Sequence, residues 1–179
     1  MENKYLAYYF IDNINSGTKL LIKKFKKISL IYLNSGINNK IENLYSIKEF
    51  CRKNKVDLYV SDDFKLAIKI KANGLYLTKN NKTMNHCMNQ KKGFINIGVA
   101  HNQLEFFKKK QQKVDKIFLS PIFMTKKYSK NKILETLKFR IISTRWKTNV
   151  IPLGGINQLN LKRIKMLNVE GFGFKSWAL

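Results

Sequence analysis

The sequence predicts an α/β fold of the (β/α)8 barrel class. Short apolar runs rich in Ile, Val, Tyr and Phe alternate with longer segments whose apolar residues return every three or four positions. That alternation is the pattern of βα units on a parallel sheet. Eight such runs occur, the number that closes a barrel. A chain of 179 residues is enough for a single domain over 1–179 with a proper core. It is short for this class, where about 250 residues is typical, and it stops directly after the eighth run, so the final helix is expected to be missing. An open doubly wound sheet is the alternative architecture.

Strands are expected over Leu6–Ile11, Ile28–Leu33, Asp57–Ser61, Gly74–Thr78, Ile95–Ala100, Lys116–Ser120, Val150–Leu153 and Gly171–Lys175, each a compact apolar or β-branched run. Helices are expected between them over Thr18–Lys26, Ile41–Asn54, Phe64–Lys71, Gln103–Gln112, Ile133–Trp146 and Leu159–Leu167. Ile41, Leu44, Tyr45, Ile47, Phe50 and Cys51 share one apolar face of the second of these. Asn80 to Lys92 is polar and poorly periodic, and reads as loop or a short irregular helix. Lys126 to Lys132 reads as a polar loop.

The formal charge of +24 can attract nucleic acid, anionic membrane or phosphorylated metabolites. Its distribution argues against a dedicated nucleic-acid surface. The 31 Lys, 20 Asn and 20 Ile are spread over the whole length, as codon bias in an AT-rich genome produces, and a basic tail would form a block. The dense run Lys108-Lys109-Lys110 reads as a solvated helix face. Cys51 and Cys87 are too few for a disulfide framework and fit a reducing compartment. His86 beside Cys87 lacks the second pair of ligands a metal site needs. The start of the chain has no signal-peptide pattern, and no run approaches the length of a membrane span, so a cytoplasmic protein is expected.

Barrel chemistry belongs to the carboxyl ends of the strands. There Gly154-Gly155 can let backbone N–H groups approach a phosphate, or serve only as a turn. Lys175 and Ser176, after the neighbouring strand, can add a cation and a hydroxyl to the same anion. Asp62 and Asp63 can bind a divalent cation that bridges a diphosphate, or cap a helix. His101 can act as acid or base near neutral pH, or be structural.

Four segments resemble the thiamine phosphate synthase and thiazole tautomerase family of barrels. Asp57-Leu58-Tyr59-Val60-Ser61-Asp62-Asp63, then Leu66-Ala67 and Asn73-Gly74-Leu75-Tyr76-Leu77, resembles the family's strand ending in Asn-Asp and the strand that follows it. Ile97 to Asn102 with Leu104-Glu105 is similar to its Gly-Val-Ser-x-His-Ser-Leu-Glu segment. Val114-Asp115 leading to Ser120-Pro121-Ile122-Phe123-Met124-Thr125 is similar to Ala-Asp-Tyr followed by Gly-Pro-Ile-Phe-Pro-Thr. Leu153-Gly154-Gly155-Ile156-Asn157 and the closing Gly171–Ser176 resemble the family's Ile-Gly-Gly-Ile-Asn and last strand.

The resemblance implies an enzyme that couples an aminopyrimidine diphosphate to a thiazole phosphate through a pyrimidine cation, with Mg²⁺ and basic groups stabilising the departing diphosphate. It implies Asp62 as metal ligand and Ser61 in place of the preceding asparagine. Thr125, Lys126 and Lys127 fall on the thiazole-phosphate loop, and Gly154, Gly155, Lys175 and Ser176 on its phosphate site. The diphosphate end departs from the family pattern. Tyr32-Leu33-Asn34-Ser35-Gly36 stands where the synthases carry Gln-x-Arg-x-Lys, Asn81 replaces a second metal aspartate, and Ala100 replaces a serine. Tyr128 replaces a lysine, with Lys126, Lys127 and Lys130 nearby. Asn102 holds the register of the tautomerase histidine, one residue after His101. A tautomerase or a noncatalytic phosphate-binding barrel are the alternatives.

Overall fold

The computed structural model describes residues 5–33, 41–88, 92–146 and 148–177. Eight strands alternate with helices: β1 (Leu6–Ile11), α1 (Ser16–Lys24), β2 (Ile28–Tyr32), α2 (Ile41–Lys53), β3 (Asp57–Ser61), α3 (Phe64–Lys69), β4 (Gly74–Leu77), β5 (Ile95–Ala100), α4 (Gln103–Gln111), β6 (Lys116–Leu119), α5 (Glu135–Trp146), β7 (Asn149–Pro152), α6 (Leu161–Lys165) and β8 (Gly171–Phe174). All pairings are parallel, in the order β7-β6-β5-β4-β3-β2-β1-β8. A single bridge between Leu153 and Gly173 joins the two ends, so the sheet is a nearly closed barrel. Among the described residues, the β4–β5 connection holds a one-turn 3-10 segment, Asn85–Met88, and no helix follows β8.

Alternation along the strands sorts the core into two layers. Leu30, Leu58, Leu75, Ile117 and Phe172 face the helices, while Tyr8, Phe10, Ile31, Tyr59, Tyr76, Ile97, Val99, Phe118 and Ile151 fill the barrel. The interior is mostly aromatic: Phe118 lies edge-on to Tyr8 at 5.3 Å between centroids and packs on Phe10 at 5.8 Å and Tyr76 at 6.1 Å. The amino-terminal end is sealed by polar groups. Glu170 accepts from Lys116 Nζ and Asn149 Nδ2, and Lys116 Nζ also reaches the Tyr8 hydroxyl at 3.3 Å.

Three helices stop in the same way, and the stop is made with lysine. After α2, α3 and α4, Lys55, Lys71 and Lys113 take the left-handed conformation, with φ of 54°, 53° and 51°. In each case the lysine N–H and the next N–H return to carbonyls of the last turn: Lys55 to Arg52 and Val56 to Cys51, Lys71 to Ile68 and Ala72 to Ala67, Lys113 to Lys110 and Val114 to Lys109. The residue after each lysine is buried, as this helix-ending motif requires. A left-handed non-glycine residue costs about 1 kcal/mol or more, and all three lysines are solvent-exposed. K55G, K71G and K113G should therefore each raise stability by about 1 kcal/mol, and together add up because they are separate. Urea unfolding checks this, with K138G in the middle of α5 as a control that should lose about 1 kcal/mol.

Candidate active site

The inward parity that places Tyr8, Tyr59, Tyr76, Val99 and Phe118 inside the barrel carries Asp12, Ser61, Thr78, His101, Ser120 and Lys175 to its carboxyl-terminal rim. Around this rim the predicted residues fall into two halves. A cavity of about 650 Å³ lined by Phe25, Lys27, Ser29, Asp57 and Glu170 lies at the opposite end, away from every one of them.

The first half is the junction of β6, β7 and β8. Gly154 and Gly155 both have positive φ, 95° and 71°. They also meet the loop after β6 at close range. A Cβ on Gly154 would lie 3.0 Å from Ser120 Oγ, and one on Gly155 would lie 2.4 Å from the Met124 carbonyl oxygen. The Ile122 N–H donates to the Leu153 carbonyl at 2.9 Å and the Phe123 N–H to that of Gly154 at 3.1 Å, so the two loops are stitched together. Lys175 and Ser176 are exposed just beyond β8, two and three residues after the Gly173 bridge. The glycines are thus required by loop-on-loop packing as well as being suited to an anion.

Beyond this junction the chain makes a tight turn. Thr125 and Tyr128 exchange backbone hydrogen bonds at 3.1 and 3.2 Å, and Thr125 Oγ1 accepts the Lys127 and Tyr128 N–H groups. Lys126 and Lys127 are exposed, with Lys127 Nζ 5.8 Å from the centre of the Tyr128 ring. That ring in turn lies 6.1 Å from the His101 ring. Glu105 Oε2 accepts from both the backbone N–H and Nδ1 of His101 at 2.8 Å. A carboxylate accepts only, so Nδ1 carries the proton and Nε2 is the basic nitrogen of the neutral ring. Burial pushes Glu105 up, but its bonds from His101 outweigh that and hold the carboxyl below the usual range. Asn102 is the cap of α4, its side chain accepting from the Glu105 N–H at 2.9 Å. Glu105 as the partner of His101 was not foreseen, although the i, i+4 spacing was there to be read.

The second half lies at β3 and β4. Asp63 caps α3 by accepting from the Leu66 N–H at 2.9 Å. Asp62 sits in the left-handed region at φ 57°, and its carboxylate accepts from Thr78 N–H at 2.9 Å and Thr78 Oγ1 at 2.6 Å. Ser61 is buried beneath it. Asn81 turns its side-chain oxygen to Thr83 and to Gln112 Nε2, away from the role a second metal aspartate would play. Asn34, Ser35 and Gly36 lie outside the described residues.

One expectation is overturned here. Lys109 is not part of a solvated face; it is 1% exposed. Its stem crosses Gly98, where a Cβ would lie 2.9 Å from Lys109 Cδ. Its ammonium donates to the Thr78 carbonyl at 2.6 Å, the Gln112 Oε1 at 2.8 Å and the Asn81 carbonyl at 3.1 Å. The signal was present, since Lys109 follows the buried Phe106 by three residues and shares its face.

A profile of the thiamine monophosphate synthase family matches residues 23–176. The chain belongs to this family. Thiamine-phosphate synthase 1 of Streptococcus pneumoniae is 28% identical over 137 residues, 74% of this chain and 64% of that protein. The chain therefore spans less than two thirds of that relative. The thiamine-phosphate synthase of a Hydrogenobaculum species is 26% identical over 149 residues, 83% of this chain and 70% of its own. In fold, the chain is similar to the thiamine phosphate pyrophosphorylase of Pyrococcus furiosus, with a TM-score of 0.71 at 15% identity over 97% of this chain and 85% of that one. No described helix is long and apolar enough to cross a membrane.

Lys109 gives the family barrel a measurable pH dependence. Burial pushes its ammonium down to about 8, against the upward pull of the Asp62 and Glu105 carboxylates. An unfolded lysine titrates near 10.4. From about pH 8 to about pH 10 the unfolded chain holds a proton on this lysine that the folded chain has released, so the lysine's own contribution to stability rises with pH through that window, by about 2 kcal/mol. Below about pH 8 both states are protonated and this slope vanishes. The buried Cys51 thiol and the Tyr8, Tyr59 and Tyr76 hydroxyls, all pushed up by burial, act in the opposite direction in the same window. Chemical unfolding at pH 8 and pH 10 should therefore show the lysine's share as a difference, stability changing less favourably with pH in K109M than in the wild type by about 2 kcal/mol.

Proposed function

We propose that the chain forms thiamine phosphate by coupling an aminopyrimidine diphosphate to a thiazole phosphate. The observation that carries this reading is the β6–β8 junction, where the Gly154-Gly155 turn, the loop from Ser120 to Tyr128 and the exposed Lys175 and Ser176 meet at one part of the rim. The relatives named thiamine-phosphate synthase support the reaction class.

In this reading the thiazole phosphate group rests on the Gly154-Gly155 turn, with Lys175 as its cation and the Ser176 hydroxyl as donor. The Thr125–Tyr128 turn covers it from the side. The C–O bond to diphosphate breaks, its electron pair leaving with the diphosphate, and the thiazole ring nitrogen then bonds to the methylene carbon of the resulting pyrimidine cation. The protein holds the two rings in line and offers cations to the leaving group. Lys126 and Lys127, exposed on the covering turn, supply that charge in place of the family's missing basic motif.

The donor set fits Mg²⁺ only as a one-carboxylate site. Asp62 faces solvent and each of its oxygens keeps a free lone pair beyond the Thr78 bonds, while Asn81 is spent on its own loop. Magnesium commonly takes one or two carboxylates together with substrate phosphates and water. Bound in that way, it would neutralise charge on the departing diphosphate.

Titration calorimetry tests both halves. K175A should weaken thiazole phosphate binding by about tenfold or more, and D62A should abolish Mg²⁺-dependent binding of the aminopyrimidine diphosphate without affecting thiazole phosphate. A wild-type protein that binds neither ligand rules the proposal out, and one that binds both without forming product is a noncatalytic member.

The His101–Glu105 pair favours a second reading, a proton shift on the thiazole phosphate ring with His101 Nε2 as base and Glu105 holding the tautomer. Deuterium uptake from solvent into the thiazole phosphate, followed by NMR, should stop in H101N and slow by about tenfold in E105Q. Equal uptake in wild type and H101N removes this reading.

A further inference from the structure

Among its described residues, the connection from β4 to β5 has a single 3-10 turn, where the other crossovers have a helix. A segment without helical bonds must find partners for its backbone elsewhere. Here they come from two side chains of the next helix and its cap. Lys109 Nζ takes the carbonyls of Thr78 and Asn81, and Gln112 Nε2 takes those of Asn81 and Thr83. The Gln112 backbone carbonyl accepts from His86 Nε2 at 2.8 Å and Cys87 Sγ at 3.2 Å, tying down the far end.

We infer that Lys109 and Gln112 are positioning residues for the diphosphate side of the site, and this rests on the synthase reading of Asp62. Two links lead from the bracket to the ligand. Thr78, whose carbonyl is held by Lys109, donates through its N–H and hydroxyl to both oxygens of Asp62, so the carboxylate points where the bracket sets it. Thr83, whose carbonyl is held by Gln112, forms the wall of a cleft of about 340 Å³ opposite Ser61, Asp62 and Lys65. Asp62 is in the left-handed region, a conformation aspartate tolerates at a cost, and the Thr78 bonds help hold it there.

The choice of lysine follows from the geometry. Three acceptors surround one point, and an ammonium has three donors to meet them. An apolar side chain of equal length fills the space over Gly98 but takes the charged donor away from both carbonyls, leaving Thr78 with only the Asn81 N–H and Asn81 with only Gln112 Nε2, so the segment is held less firmly. The β6–β8 junction has none of these bonds. Loss of the bracket should therefore be felt on one ligand only.

The test compares wild type, K109M, G98A and D62A. G98A leaves every polar group in place but drives a Cβ into the Lys109 stem, at 2.9 Å from Cδ and 3.1 Å from Cγ. Calorimetry with the aminopyrimidine diphosphate at several Mg²⁺ concentrations should show K109M and G98A weakened by about tenfold and needing more Mg²⁺. Thiazole phosphate affinity should stay within about twofold of wild type, which a general loss of structure would not allow. Hydrogen exchange at the Thr78 amide should quicken in both variants while β1 and β2 stay protected. If D62A loses diphosphate binding and K109M and G98A keep it, the positioning role is wrong and the synthase reading stands. If D62A binds diphosphate as well as wild type, the synthase reading of Asp62 fails and the inference falls with it.

Discussion

Phe118 sets the dimensions of this barrel. Its ring occupies the middle of the interior against Tyr8, Phe10 and Tyr76, so the strand facing it must yield space. That strand is β8, and it yields by having no side chain at Gly173, where a Cβ would come within 3.0 Å of Phe118 Cε1 and 2.9 Å of Leu153 Cδ1. Because Gly173 is bare, β8 can approach β7 closely enough to form the Leu153 bridge. The bridge in turn brings Gly154-Gly155 and Lys175 to neighbouring places on the rim. Aromatic packing inside and the β6–β8 loop junction outside are therefore one constraint seen at two heights of the barrel. The interior is filled, the floor is closed by Glu170, Lys116 and Asn149, and chemistry is left to the rim.

Most of this architecture was legible in the sequence because run length and the helical period carry it. Short continuous apolar runs mark eight strands, most of them buried along their length as a parallel barrel requires, and all eight were located to within a residue or so at their ends. The six helices were placed equally well; five are shorter than expected by up to two residues at an end, while α1 begins two residues earlier, at Ser16, because the Asn15 side chain caps it there, and ends two residues earlier. The stops at Lys55, Lys71 and Lys113 were illegible. Glycine is the usual mark of a left-handed stop, and a chain with 31 lysines and 9 glycines has put lysine in its place.

The site was legible unevenly for a related reason. Residues that act through backbone shape show themselves, as Gly154-Gly155 does, because few side chains can do what glycine does there. Residues that act through burial of charge do not. Lys109 stands between two other lysines, and a linear reading assigns all three to water; its burial depends on Gly98 in a strand and on carbonyls of a loop 28 and 31 residues away. Asp62 reads correctly as a rim carboxylate, yet its aim comes from Thr78, sixteen residues on. Long-range pairing of this kind leaves no period to detect.

On the proposed synthase reading, the two halves of the rim differ in how they would recognise an anion. A protein of formal charge +24 raises the local concentration of any phosphate compound, so attraction as such distinguishes nothing. Discrimination has to come from groups whose positions are fixed. At the β6–β8 junction two loops are stitched to each other and the shape is set by packing. On the synthase reading, Tyr32-Leu33-Asn34-Ser35-Gly36 after β2 has no basic residue where the family's motif grips diphosphate, and what is fixed at β3–β4 is a carboxylate, Asp62, aimed by Thr78 and backed by a buried ammonium. A carboxylate repels a bare diphosphate and accepts one only with a divalent cation between them. On that same reading, the loss of cationic side chains on that side would make recognition depend more on the cation, and the rigidity of the Asp62 support would matter more here than in a site that could grip diphosphate directly.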